Sequence, residues 1–186
     1  MKIQLTICLL TLAGLAQTAT AQSDTTKVRS TITPNNKNTV FPVALIQYFN
    51  GKWVGKGAFK NGKILESQYV FSAELGDQAI AVKHEEYAPY TYKFSALWSF
   101  DANSGDVVML AATNRNGGAR LFRSNEGWKD QKIIFQGIPE LKAVFAFERF
   151  TFEAKSANIF KATYEWSGDG QIWNLGDWQE FIKTSN

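Results

Sequence analysis

The sequence has one cysteine, one histidine and four prolines among its 186 residues, and each scarcity excludes a class of protein. The cysteine, Cys8, lies in the N-terminal apolar segment, so the folded part has neither a disulfide framework nor a thiolate nucleophile. The lone His84 excludes a metal site built from several histidines. Pro42, Pro89 and Pro139 lie outside the middles of the alternating apolar segments, where they interrupt no strand ladder.

An excess of charge of one sign is also missing. The chain has 20 Lys and Arg against 17 Asp and Glu, and the basic residues are scattered. Neither nucleic acid nor an anionic membrane surface is therefore predicted as a partner. After Phe59 no long stretch shows a helical period, which leaves β-structure as the main expectation.

The first 38 residues are predicted to precede the folded domain. Met1–Ala21 is typical of a secretory signal peptide, with Lys2 before an apolar run and Ala19-Thr20-Ala21 at the cleavage site. That run is too short to cross a bilayer comfortably, so no membrane insertion is expected after cleavage. Residues 22–38 are rich in Ser, Thr and Asn and predict a flexible leader. We therefore expect a secreted or periplasmic protein whose folded domain covers residues 39–186.

The folded domain opens with a short apolar segment and a glycine-rich strand. Val40–Tyr48 predicts a short helix, with Pro42 in its first turn, that covers one end of the β-structure after it. In Gly51–Phe59 strand alternation puts Trp53 and two glycines on one face and the lysines on the other. Glycines between large aromatics indicate either a cavity entrance beside Trp53 or a bend that Trp53 closes.

Turn signals such as Asn61-Gly62 and Gly168-Asp169-Gly170 divide the rest of the chain into about ten short segments. The clearest segment is Tyr90–Phe100, where aromatic and small apolar residues alternate with polar ones over its whole length. Short antiparallel strands with tight turns favour an all-β, up-and-down barrel of about ten strands. A barrel of this size has room for one small ligand.

Two motifs of this chain resemble those of a known group. Gly51-Lys52-Trp53 near the start of a secreted β-chain resembles the opening of lipocalins and their calycin relatives. Its extension to Gly55 and Gly57 is also similar to the opening of nitrobindin-like haem-binding barrels. The segment from Tyr164 to Trp173 is most similar to the closing hairpin of uncharacterised lipocalin-like secreted bacterial proteins, a domain family of unknown function.

The resemblance implies a lipocalin-like barrel over roughly residues 49–183 and transfers few functional residues. In lipocalins the opening tryptophan packs on a basic side chain late in the barrel, and Lys183 takes that position here. Nitrobindin-like barrels ligate haem through a late histidine, and this chain has none after His84. No cofactor and no metal are therefore predicted.

The function predicted from these observations is binding of a small, largely apolar molecule inside the barrel. His84 and Arg123 are expected to supply polar contacts. A first alternative is an enzyme on the same barrel, in which His84 and Glu86, two apart on one strand face, transfer protons. A second is a filled barrel whose rim binds another protein; the oligomeric state is left open. The predicted ligand-binding residues are Trp53, His84, Tyr90, Tyr92, Phe94, Trp98, Arg123, Phe160 and Tyr164.

Overall fold

The computed structural model describes residues 40–115, 118–138 and 147–184, which form one short helix followed by ten strands. The signal peptide and leader predicted over residues 1–38 lie outside the described residues. The elements are α1 (Val43–Phe49), β1 (Gly51–Phe59), β2 (Ile64–Glu74), β3 (Ala79–Glu86), β4 (Lys93–Phe100), β5 (Val107–Thr113), β6 (Ala119–Ser124), β7 (Lys132–Gly137), β8 (Phe147–Ser156), β9 (Ile159–Ser167) and β10 (Asn174–Lys183).

The strands form a closed antiparallel barrel. Each strand pairs with the next one along the chain, and β1 closes the ring by pairing with β10. That last pairing runs from Trp53 opposite Lys183 to Phe59 opposite Asp177. Closure leaves no unpaired sheet edge between these strands. The prediction of an up-and-down barrel of about ten strands, preceded by a short helix, is confirmed.

The glycines of β1 allow a close approach of β10. Trp53, Gly55 and Gly57 are buried, while Lys52 and Lys56 on the other strand face are exposed. A side chain at Gly55 would collide with the ring of Phe181, and one at Gly57 would collide with the backbone of β10. Phe181 therefore fills the space that the glycines leave on the inner face. The structure favours a closed bend over a cavity entrance beside Trp53.

Helix α1 covers the end of the barrel where β1 begins. Leu45, Ile46 and Phe49 are its buried residues, and their spacing places them on one helix face. The Phe49 ring contacts rings from four strands, with centroids 5.0 Å from Phe71 and 5.4 Å from Trp98. In the described parts of the chain, no helix is both long and apolar enough to span a bilayer.

The fourth strand is shorter than its alternating pattern predicts. It begins at Lys93 rather than Tyr90, because residues 87–92 form a connection closed by a hydrogen bond from Tyr90 N to Tyr87 O (3.0 Å). The Asn114 side chain replaces a strand partner there: its Oδ1 accepts from Lys93 N at 2.9 Å, and its Nδ2 donates to Thr91 O at 2.6 Å. The aromatic alternation therefore extends beyond the paired strand.

Candidate functional site

The inward-facing side chains form two regions along the barrel axis, which differ in chemistry. The region next to α1, which we name the packed half, is built from aromatic rings. The region at the opposite end, which we name the polar half, carries hydrogen-bonding and titratable groups. The packed half contains Phe49, Trp53, Phe71, Trp98, Phe135, Phe152, Phe160 and Phe181. The polar half contains Ser67, Tyr69, His84, Glu86, Tyr92, Phe94, Arg120, Glu148, Tyr164, Asp177 and Gln179.

Three of the predicted ligand-binding residues, Trp53, Trp98 and Phe160, belong to the packed half. All three are fully buried. Phe160 lies 4.9 Å from Trp53 and 5.4 Å from Phe49 between ring centroids, and Trp98 lies 5.0 Å from Phe152. Rings at these separations pack on one another and dominate core energetics. Their contacts in this structure are with the core and with α1.

The predicted pairing of Trp53 with a late basic residue is confirmed. The Lys183 ammonium lies 5.0 Å from the centroid of the Trp53 ring and donates to Tyr48 O at 3.0 Å. Trp53 Nε1 in turn donates to Phe49 O at 2.7 Å. These contacts fasten the C-terminal end of α1 to the first and last strands.

The polar half is centred on a buried hydrogen-bond chain across three strands. Ser67 Oγ on β2 donates to Gln179 Oε1 on β10 at 2.7 Å. His84 Nε2 on β3 lies 3.1 Å from the same Ser67 oxygen. Because the hydroxyl proton goes to Gln179, the hydroxyl oxygen accepts from His84 Nε2–H. The imidazole proton is therefore on Nε2, and Nδ1 carries a lone pair.

Two polar atoms of this half are buried without a hydrogen-bond partner: His84 Nδ1 and Glu86 Oε2. His84 is 6% exposed and Glu86 is 8% exposed. Their spacing of two on β3 puts both on the inner face, as the sequence predicts. An unpaired buried polar group costs about 1–3 kcal/mol. The barrel thus holds two unfavourable groups side by side.

Burial dominates the electrostatics of His84, although carboxylates lie nearby. Burial lowers the pKa of His84 to about 3, and the Glu85 carboxylate offsets this only in part. Removing the imidazolium from water outweighs the attraction of the carboxylate. His84 is neutral at physiological pH, and so weak a base is poorly matched to proton transfer near neutrality.

The carboxyl groups shift in the opposite direction. Burial raises the pKa of Asp177 on β10 to about 7, and the neighbouring Glu86 charge adds to the shift. Burial also raises the pKa of Glu86, although Arg115 and a backbone hydrogen bond with Tyr92 oppose that rise. The two carboxyl groups are close enough for their charges to interact. No group of three or more His, Cys, Asp or Glu residues in the described ranges could hold a metal ion.

Two donors of the polar half, Arg120 and Tyr164, are already engaged by Glu148. Arg120 Nη1 donates to both oxygens of Glu148, at 2.6 and 2.7 Å. Tyr164 OH donates to Glu148 Oε1 at 2.6 Å. Burial and this hydrogen bond raise the pKa of Tyr164, so the phenol keeps its proton. The cluster of three is electrically balanced and internally satisfied.

Aromatic rings surround His84. Its ring centroid lies 4.5 Å from Tyr69, 5.1 Å from Phe94 and 6.0 Å from Tyr92. The Tyr69 ring also lies 5.9 Å from Phe152 between centroids, so the polar half packs directly on the packed half. Of the predicted site residues, the polar half brings together His84, Tyr92, Phe94 and Tyr164.

Two predicted site residues lie elsewhere. Tyr90 lies in the β3–β4 connection, and its ring packs on Phe59 at 5.0 Å. Arg123 faces outward, because Phe122 is the inward residue of that part of β6. Its guanidinium pairs with Asp101 at 3.2 Å and Asp106 at 3.5 Å. The inward arginine of β6 is Arg120, three residues earlier.

Several polar-half residues were not predicted from the sequence. Ser67 and Tyr69 lie between Leu65 and Phe71 in one period-two series, so all four share a strand face. This signal could have marked Ser67 and Tyr69 as inward-facing. Gln179 stands two before Phe181 in the same way. The remaining three, Arg120, Glu148 and Asp177, are charged, and the sequence pattern around them looks like that of an ordinary solvated surface.

Comparison with known proteins supports the fold. No protein-family model matches the chain, and no curated protein sequence matches it. The crystal structure of Rv2717c from M. tuberculosis matches with a TM-score of 0.54 and 13% identity, over 78% of this chain and 99% of that one. The structure of EF1p2_mFAP2b bound to DFHBI matches with a TM-score of 0.40 and 11% identity, over 75% and 95% of the two chains, too weakly to support an inference. The similarity to Rv2717c fits a ten-stranded, lipocalin-like barrel and shows the fold alone.

Proposed function

We propose that this protein binds a small, largely apolar organic molecule in the polar half of its barrel. The observation that carries the proposal is the pair of buried, unpartnered atoms, His84 Nδ1 and Glu86 Oε2. Apolar side chains at these positions would avoid the cost of leaving both atoms unpaired. A ligand that hydrogen-bonds to them removes that cost on binding.

The surroundings of these two atoms suit such a ligand. The rings of Tyr69, Phe94 and Tyr92 around His84 provide apolar surface for the body of the molecule. Burial of that body supplies the driving force, at about 25 cal/mol per Å² of apolar area removed from water. The polar atoms fix its orientation.

The test is titration of the full-length protein with N-phenyl-1-naphthylamine, an apolar probe whose fluorescence rises in a dry site. Ala111 on β5 is buried and inward, whereas the next residue, Ala112, is exposed and outward. Ala111→Phe pushes a ring into the interior and is expected to weaken probe binding about tenfold or more, since a filled site excludes the ligand. Ala112→Phe is expected to bind as wild type does.

Circular dichroism establishes that each variant is folded. If Ala111→Phe is not folded, Ala162→Phe on the inner face of β9 replaces it in the titration. Native mass spectrometry of the protein purified from its own host gives an independent measurement, in which a retained mass identifies a bound molecule. Unchanged probe affinity in a folded Ala111→Phe variant would overturn the proposal. So would a wild-type protein that retains no mass and binds no probe.

A further inference from the structure

The two fully buried atoms of the polar half that lack a hydrogen-bond partner are both acceptors. His84 Nδ1 carries a lone pair, because its Nε2–H is directed at Ser67 Oγ. Glu86 Oε2 is also without a partner, and an ionised carboxylate only accepts. Both atoms belong to side chains that are more than nine-tenths buried.

The two acceptors lie on the same face of β3. His84 and Glu86 are alternate residues of β3, and their partners across the β2–β3 ladder are Tyr69 and Ser67. Asp177 approaches from β10, near enough for the Glu86 charge to act on it. Two inward carboxyl groups and the His84 lone pair therefore lie at this end of the barrel, on two strands.

The positive charges of this region do not satisfy these acceptors. Arg120 is bound to Glu148, which also receives the Tyr164 hydroxyl. Arg115 is exposed at the end of the barrel, where its guanidinium lies 5.0 Å from the centroid of the Tyr92 ring. After the Arg120–Glu148 pair is counted, the described interior has an excess of carboxyl groups.

The aromatic rings of the polar half also attract a positive charge. A cation over the face of a tyrosine or phenylalanine ring is attracted by the ring quadrupole. Tyr69, Phe94 and Tyr92 all have ring centroids within about 6 Å of the imidazole. Arg115 already occupies such a position on Tyr92 at the outer end.

We infer that the ligand of the polar half is an organic amine, whose ammonium group donates to His84 Nδ1 and Glu86 Oε2 beside Asp177. This inference rests on the proposed function and specifies the charge of the ligand. In this arrangement the His84 lone pair and the carboxylates bind the ammonium group, and the rings of Tyr69 and Phe94 contact the body of the amine.

The test uses three probes with one phenylethyl body and different head groups: 2-phenylethylamine, 2-phenylethanol and 3-phenylpropanoate. Isothermal titration calorimetry of the full-length protein near neutral pH compares their affinities. A charge-assisted hydrogen bond favours the amine over the alcohol by about tenfold or more. The carboxylate is expected to bind weakest, because it meets like charge.

Glu86→Gln is expected to reduce amine affinity by about tenfold or more and alcohol affinity by less, so that the preference for the amine is lost. The matched control is Glu85→Gln, since Glu85 points outward on the same strand and pairs with Lys93. Asp177→Asn gives a second interior variant if Glu86→Gln does not fold. Loss of amine selectivity in Glu85→Gln as well would remove the assignment to Glu86.

The outcomes separate the two proposals. Equal binding of all three probes, or tightest binding of the carboxylate, overturns the amine inference and leaves interior binding intact. If no probe binds but the protein retains a molecule from its host, the presence or absence of an amine in that molecule decides. If no probe binds and no mass is retained, the proposed function is overturned, and with it the amine inference that rests on it.

Discussion

The two halves of this barrel solve the problem of filling an interior in opposite ways. In the packed half, Phe49 from α1 enters a ring cluster in which Trp98 and Phe160 are completely buried. In the polar half, His84 and Glu86 are almost as buried but leave atoms unpaired. Trp98 Nε1 in the packed half also lacks a partner, but only in the polar half are the unpaired groups titratable. Buried polar groups without partners are uncommon in folded proteins, and each requires an explanation.

The largest effect that tests this contrast is expected at Trp98. Trp98→Ala removes a side chain that contacts Phe49, Phe71, Phe135 and Phe152. The free energy of unfolding is expected to fall by about 3–5 kcal/mol, because the ring contacts are lost and a cavity remains. Urea denaturation measures this change.

The neighbouring Leu97 provides the control, since it points outward and is 39% exposed. Leu97→Ala is expected to change stability by less than about 0.5 kcal/mol. Trp98→Phe keeps most of the contacts and is the variant for binding assays. A strong loss of N-phenyl-1-naphthylamine affinity in Trp98→Phe would show that the ligand reaches the packed half.

Sequence alternation predicted the packed half better than the polar half. The pairing of Trp53 with Lys183 came from the resemblance to lipocalins and not from alternation, and the β1–β10 ladder that closes the barrel brings the two residues together. Arg123 was misplaced because Leu121 and Arg123 form an alternating pair as regular as Arg120 and Phe122 do. A one-residue change of phase exchanges the two faces of a strand, and the pattern of so short a strand does not determine it.

The bonding state of the polar half could not be derived from the sequence at all. That His84 Nδ1 is free depends on Ser67 and Gln179, which lie on two other strands. The inward direction of Asp177 depends on a register shift in β10 between Leu175 and Asp177, where Gly176 lets the Tyr164 ring approach. Such facts depend on the register between strands distant in sequence.

The second prediction concerns Asp177 and pH. Its pKa rises from 3.8 to about 7 on folding, so the folded state binds the proton more tightly than the unfolded state. The resulting stabilisation is present at low pH and is lost as pH rises from about 4 to about 7. Asp177→Asn removes this dependence and is expected to stabilise the protein by about 2–4 kcal/mol near pH 8, and hardly at all near pH 4.

Thermal unfolding of wild type and of Asp177→Asn across this pH range measures the difference in stability between them. The wild-type profile alone does not isolate Asp177. His84 acts with opposite sign, since its folded pKa of about 3 lies below the ordinary 6.5, and its contribution is lost as pH falls through that window. Asp169→Asn is the control: Asp169 is exposed and accepts from Gln171 N and Ile172 N, which lower its pKa. An Asp177→Asn difference that does not grow with pH would contradict a raised pKa of Asp177.

The smallest effect is expected where α1 is fastened to the barrel. Lys183→Met keeps the apolar stem of the side chain but removes the ammonium that lies on Trp53 and donates to Tyr48 O. Burial lowers the pKa of Lys183, so part of the gain from these contacts is offset by desolvation of the charge. We therefore expect a loss of about 1 kcal/mol in urea denaturation. Lys56→Met, which breaks the exposed pair with Glu66, should cost less stability.

Because Lys183 lies at the opposite end of the barrel from His84, removal of its ammonium group should leave amine selectivity unchanged. A change in selectivity would mean that the two halves are coupled.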